Sequence, residues 1–235
     1  RVAALGGISI PIYDSDIQLA TYNPSLINSD IDNNMALSYV DYYRDINFGT
    51  VQYGKTFEKA GSFVGTLQFH NYGRFYYAEE NGYQDGSTFT VSDYMFNVGW
   101  GRMLNDNWTI GANLKFAGIQ YENSSAFALA VDVAGTYKTS DGWCLSLTAR
   151  NIGYELYKNY EGDHSKLPFR MQLGMSKKLE HLPFTFIVVY DNLQKWNLSY
   201  NDPLDLEGNY DPLSGQIVEK SKIDTVRNYI DFFIR

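Results

Sequence analysis

Residues 62–73 alternate in character from one position to the next. Phe63, Leu67 and Phe69 stand on one side, and Thr66, Gln68, His70 and Tyr72 on the other. A period of two predicts a β-strand with one apolar face, about twice as long as the usual 5–6 residues. The same pattern recurs along the chain and predicts strands near 35–42, 47–55, 62–73, 88–101, 108–119, 126–138, 143–152, 168–177, 184–197 and 228–235. In FALAVDVAGTY, Phe127, Leu129, Val131, Val133 and Tyr137 oppose Ala128, Ala130, Asp132, Ala134 and Thr136. In WTIGANLKF, Trp108, Ile110, Ala112, Leu114 and Phe116 oppose Thr109, Gly111, Asn113 and Lys115. One face is therefore Phe, Leu, Val, Met and Trp; the other is Gly, Ala, Thr, Asn, Gln and scattered charge.

The connections carry a second pattern. Turns near 56–61, 102–107, 139–142 and 178–183 are short and hold Asn-Asp-Asn (105–107) and Ser-Asp-Gly (140–142) as turn chemistry. Three intervening connections, 74–87, 153–167 and 198–227, are long and rich in Tyr, Asn, Asp, Glu, Gly and Pro, although 43–46 and 120–125 on that side are brief. In an up-and-down meander the short turns gather at one end and the long loops at the other, the layout of an outer-membrane barrel. A strand tilted across a bilayer core needs about 9–11 residues. Backbone groups in hydrocarbon must be paired, so such a sheet closes. A soluble β-sandwich also alternates, but strand length, loop asymmetry and tyrosine-rich strand ends favour the barrel. The fold class expected is all-β: a transmembrane antiparallel up-and-down β-barrel over 35–235. Residues 1–34, with Gly-Gly, two prolines and little alternation, form either an arm outside it or a hatch folded into its lumen.

Composition sharpens this picture. The chain has 235 residues, with 20 Tyr, 14 Phe and 4 Trp, and amphipathic rings belong at the boundary between apolar and wet surroundings. Tyr39, Tyr42, Tyr43, Tyr72, Tyr76, Tyr77, Tyr94, Tyr121, Tyr137, Tyr154 and Tyr190 are expected as girdle anchors. A net charge of −8 argues against nucleic acid, whose phosphates need a basic stripe. The single cysteine, Cys144, allows no intrachain disulfide. No apolar run approaches the ~18 residues of a membrane-spanning helix.

Candidate chemistry is sparse. The three histidines, His70, His164 and His181, fall on a strand, a long loop and a short turn, so no nucleophile, base and orienter converge. No ligand spacing suggests a metal. The sequence predicts no enzyme and no cofactor. Charges at Asp93, Lys115, Asp132, Arg150, Arg170 and Asp191 share the inner parity of their strands, and lipid-facing Arg or Lys would cost several kcal/mol each. A polar network lining the lumen is expected from them, packing the first 34 residues.

The stretches RVAALGG (1–7), LATYNPSLIN (19–28), 37–75, LTARNIG (147–153), LPFRMQLGMSKKLEHLPF (167–184) and LQKWNLSY (193–200), taken in order, resemble the FadL-like outer-membrane proteins, and among them the PorQ family of type IX secretion in Bacteroidota. The resemblance implies an outer-membrane barrel of about fourteen strands. It also implies an anchoring role in the cell-surface attachment complex, holding a PorZ-like partner near PorV and the PorU sortase, in contact with outer-membrane lipid and lipopolysaccharide. Transport of hydrophobic small molecules, as in other FadL-like barrels, is the alternative. About ten strands are legible, and the chain stops at NYIDFFIR inside an alternating segment, so further C-terminal strands are expected. A partner surface is expected on the long loops: Tyr76, Tyr77 and Tyr83, then Tyr157 and Tyr160, then Leu204, Leu206, Tyr210 and Leu213. Aromatic and aliphatic anchors in a polar rim are the usual hot-spot chemistry.

Overall fold

The structure, a computed structural model, describes residues 10–77, 86–160, 166–179 and 181–195. Chain contacts divide the protein into a unit of Arg1–Leu193 and a second of Gln194–Arg235. Three one-turn 3-10 helices (Ile17–Thr21, Pro24–Leu26 and Ser29–Ile31) precede nine strands. These are β1 (Met35–Asp41), β2 (Asn47–Phe57), β3 (Gly61–Tyr76), β4 (Thr88–Met103), β5 (Trp108–Tyr121), β6 (Ser124–Lys138), β7 (Trp143–Lys158), β8 (Arg170–Lys178) and β9 (Thr185–Asp191). They form one antiparallel sheet in sequence order, an up-and-down meander with no α-helix among the described residues. The expected strands up to residue 197 are all present; the one near 228–235 lies outside the described residues.

Local chemistry explains the hairpins. Asn105 Oδ1 accepts the N–H groups of Asn107 and Trp108 at 3.0 and 2.8 Å, closing the β4–β5 turn. The β6–β7 turn uses Gly142 at φ +80°, where a side chain is strained. On the side expected to carry long loops, β5 and β6 are joined by only Glu122 and Asn123, with Glu122 at φ +54°. Asn159 staples that turn by accepting Ser125 N–H at 2.5 Å and donating to Asn123 O at 2.9 Å. β7 runs six residues past its expected end because hydrogen bonding to β6 continues through two register shifts. Tyr157, expected in a loop, therefore lies in β7, and Tyr76 is the last residue of β3.

Residues 10–34 lie across one face of the sheet, hereafter the covered face. The other face is bare. Alternation assigns Thr66, Asn97, Asn113, Asp132, Thr136, Thr148 and Gln172 to the covered face, where all are buried. It assigns Leu67, Phe96, Leu114, Phe116, Phe127, Val133, Leu147, Leu173 and Val188 to the bare face, where all are exposed. Aromatic rings cover glycines there: Phe69 lies against Gly49 and Phe127 against Gly118.

Candidate functional site

The N-terminal segment is built by three short capped turns. Asp16, Asn23 and Asn28 each stand as N-cap and accept an N–H two residues on, at 3.0, 3.0 and 2.8 Å. Pro24 follows its cap at the first helical position, where a missing N–H costs nothing. The turns bring Ile17, Ala20, Ile27 and Ile31 together against Val64 of β3.

Glycines on four strands make room for this segment. A Cβ on Gly54 would lie 2.6 Å from Ile31 O, and one on Gly99 2.7 Å from Ile27 Cδ1. The same atom on Gly101 would meet Ile27 Cβ at 2.6 Å, on Gly111 Ser25 N at 2.6 Å, and on Gly174 Ile10 Cγ1 at 2.6 Å. These approaches are closer than side-chain atoms tolerate, so glycine is the residue that fits. The track places Gly54 on β2, Gly99 and Gly101 on β4, Gly111 on β5 and Gly174 on β8.

Polar groups then fix the register. Ser25 Oγ meets Thr136 Oγ1 at 2.6 Å, and Thr136 Oγ1 meets Ser146 Oγ at 2.7 Å. Asn23 Nδ2 donates to Ile10 O at 2.7 Å, Gln52 Nε2 to Thr21 Oγ1 at 3.1 Å, Asn113 Nδ2 to Ala20 O at 3.2 Å, and Ser176 Oγ to Pro11 O at 2.5 Å. Buried polar atoms need such partners, and the segment and sheet supply them to one another.

The six charged residues expected to share a network divide into three groups. Asp132, fully buried, takes Lys115 Nζ at 2.5 Å on Oδ2, with Arg150 Nε 3.8 Å away. Its other oxygen accepts Asn151 N–H at 2.8 Å. That N–H belongs to a β-bulge, with Asn151 at φ +57°, so the carboxylate anchors both the cations and the backbone irregularity. The bulge shifts parity, and Ile152 and Tyr154 continue the bare face while Glu155 joins the covered one. Arg170 and Asp191 form a separate pair at 3.7 Å, with Gln172 donating to Asp191 at 3.0 Å. Asp93 stands apart: Tyr72 Oη donates to its Oδ2 at 2.7 Å, and its Oδ1 is buried with no protein partner among the described residues.

A second bulge, between Asn71 and Arg74 of β3, holds Gly73 at φ +81° and turns Phe75 to the covered face. There Phe89 packs with Phe75, Tyr77 and Tyr121 at ring separations of 5.5, 5.0 and 5.4 Å. Tyr72, Tyr77 and Tyr121 thus depart from the girdle expected of them, whereas Tyr39, Tyr94, Tyr137, Tyr154 and Tyr190 do face outward from the sheet. Among expected partner residues, Tyr77 Oη donates to Glu122 at 2.8 Å and Tyr160 Oη to Glu155 at 2.7 Å. Tyr76 and Tyr157 are well exposed. Tyr83, Leu204, Leu206, Tyr210 and Leu213 lie outside the described residues.

A cavity of about 590 Å³ opens beside this charged region, with Thr21 and Tyr22 of the N-terminal segment in its lining. Sequence reasoning missed Asn151, Asn113, Thr136 and the glycine track. The parity of Asn113 and Thr136 was visible, but the crossing segment that selects them and the bulge that turns Asn151 inward were not. At the short-turn end, Asp32 accepts Thr56 N–H at 2.8 Å and has Lys55 Nζ at 3.3 Å. These contacts, the backbone donor first, hold its carboxyl below the usual range.

No protein-family model matches the sequence, and no curated protein matches it.

Proposed function

We propose that this chain forms the wall of an outer-membrane β-barrel with its N-terminal segment seated inside as a hatch, and that it serves as a non-enzymatic surface anchor of the PorQ kind. The observation that carries the membrane reading is the inverted polarity of the sheet. Asn, Gln, Thr, Asp and Lys are buried under residues 10–34, while Leu, Phe, Val and Tyr cover the bare face. In water an apolar face of this extent is an aggregation surface; in lipid it is the solvated one.

Two aromatic belts support the same reading. Trp100, Trp108 and Trp143 lie near the short-turn end of the bare face, and Tyr39, Tyr94, Tyr154 and Tyr190 lie toward the other. From Trp143 to Tyr154, discounting the bulge residue, β7 spans about 33 Å at ~3.3 Å per residue. At a tilt near 40° that is about 25 Å across the membrane, the height of a barrel's apolar band. Nine strands leave β1 and β9 running in the same direction, so an all-antiparallel closure takes an odd number of further strands.

The anchoring role rests on the resemblance to PorQ proteins and on the aromatic residues at the end opposite the short turns, with lipopolysaccharide as the surrounding lipid. It is tested by affinity purification from detergent-solubilised outer membranes. A PorZ-like partner should co-purify with the intact chain and be lost on deleting residues 202–215 while the barrel still inserts. Partner retention after that deletion refutes the loop assignment, and no partner with the intact chain refutes the anchor. The cavity favours a second reading, a small-molecule transporter, which ligand extraction from the purified protein distinguishes.

A further inference from the structure

We infer that the cavity beside the Asp132 cluster binds a short zwitterionic peptide or a molecule of the same dipolar chemistry, about three residues long. The inference rests on the membrane-barrel reading, which makes the covered face an interior, and does not need the anchoring role. Its volume of about 590 Å³ lies within the ~300–1,000 Å³ of ordinary ligand pockets.

Two poles of opposite chemistry line it. At one, Lys115 and Arg150 share the single carboxylate of Asp132, and Arg150 Nε is buried with no hydrogen-bond acceptor among the described residues. Glu155 also lines the cavity and accepts from Tyr160 Oη, so what this pole offers a ligand is the Arg150 Nε donor in need of an acceptor. At the other, Asp93 has a buried oxygen with no donor, and no cation pairs with it among the described residues. This pole calls for an ammonium. A buried unpaired charge or acceptor is costly, and a ligand carrying both complements satisfies both ends at once.

The spacing sets the ligand's length. Asp93 precedes Asn97 by four residues on β4, and Asn97 pairs with Lys115 on β5. The Lys115 end of the first pole is therefore about 13 Å from Asp93 along the strands at ~3.3 Å per residue, with Arg150 farther along on β7, and side chains reaching inward shorten the gap. An extended chain covers at most about 3.3–3.6 Å per residue, so three residues fit. Ala117, Ala128 and Ala130 line the cavity where longer residues would fill it, beside Met95, Ile119 and Leu167. The alanines leave room there for a peptide with small side chains.

The test is calorimetric titration of the full chain in detergent micelles with trialanine, N-acetyl-trialanine and trialanine amide. Insertion is read separately as resistance to unfolding by dodecyl sulfate without heating. Trialanine should bind saturably. Each blocked derivative should bind roughly ten- to a hundredfold more weakly, the scale of one charge-assisted contact. Asp93→Asn should erase the penalty for acetylation and keep that for the amide, and Ala128→Leu should abolish binding without disturbing the charges. Inserted protein that gives no saturable heat, or binds all three peptides alike, overturns the proposal and leaves the barrel reading standing. Protein that never resists dodecyl sulfate overturns both.

Discussion

On β5, Thr109, Asn113 and Lys115 lie under the N-terminal segment, while Trp108, Leu114 and Phe116 project from the bare face. Neighbours one residue apart thus meet opposite surroundings, and the two faces are stabilised by different physics. The covered face depends on geometry: hydroxyl and amide pairs, a glycine track and one carboxylate serving two cations. Gln52, Thr136, Ser176 and Asp132 there each have a specific partner, so single changes at them should be felt strongly. On the proposed barrel reading the bare face depends on composition alone, since any large apolar side chain suits a hydrocarbon surround. The contrast teaches that this sheet is specified by its covered face, while its bare face carries only an apolar composition.

The strongest break in that contrast is Asp132→Ala. It leaves Lys115 and Arg150 without a counter-charge and frees the Asn151 N–H, and removing one partner of a buried ionic cluster costs about 3–5 kcal/mol. Urea unfolding of the detergent-embedded protein should report that loss. Next comes a charge placed on either face of β5. On the proposed barrel reading Leu114→Arg should destabilise by about 2–4 kcal/mol, the cost of Arg facing lipid at mid-membrane. Ala117→Arg, on the covered face beside the cavity, should cost much less; equal costs would remove the distinction between the faces.

Glycines sharpen the comparison at smaller scale. Gly99→Ala should destabilise by about 1–3 kcal/mol, because the new methyl displaces Ile27 or Asn113. It should also expose the N-terminal segment to protease. Gly65→Ala points into open space and should stabilise by about 0.5–1 kcal/mol through lost chain entropy. The smallest effect belongs to Asp32, outside both faces. Its depressed carboxyl contributes stability that is full above pH ~4, the free Asp value, and fades as acid takes the pH down through the folded value. Asp32→Asn should flatten this acid limb slightly and leave neutral-pH stability nearly unchanged, since the group is solvent-exposed.

Much of the architecture was legible in the residue pattern. Alternation in 62–73 and 126–138 named strands and faces correctly because a pleated strand allows only two directions for a side chain. Ends were less legible. β7 continues to Lys158 and β5 turns after Tyr121 because hydrogen bonding across the pair, the Asn159 staple and two bulges decide where strands stop. Tyr77 was misread for a related reason: the bulge at Asn71–Arg74 flips parity, and a bulge is an event between two strands; Tyr72 kept the polar parity that alternation assigned it.

The amino-acid order alone therefore determined an all-β chain with one apolar and one polar face, because period two is a property of the single strand. It also set the charges to one parity, gathering Lys115, Asp132 and Arg150 on one face. Only the tertiary structure decided that Asp132 serves two cations and a bulge while Asp93 stands alone, since strand register fixes which side chains come within reach. It likewise decided that residues 10–34 lie across the sheet in a groove of glycines. That groove is assembled from glycines on four strands spread between residues 54 and 174, and no local pattern marks it.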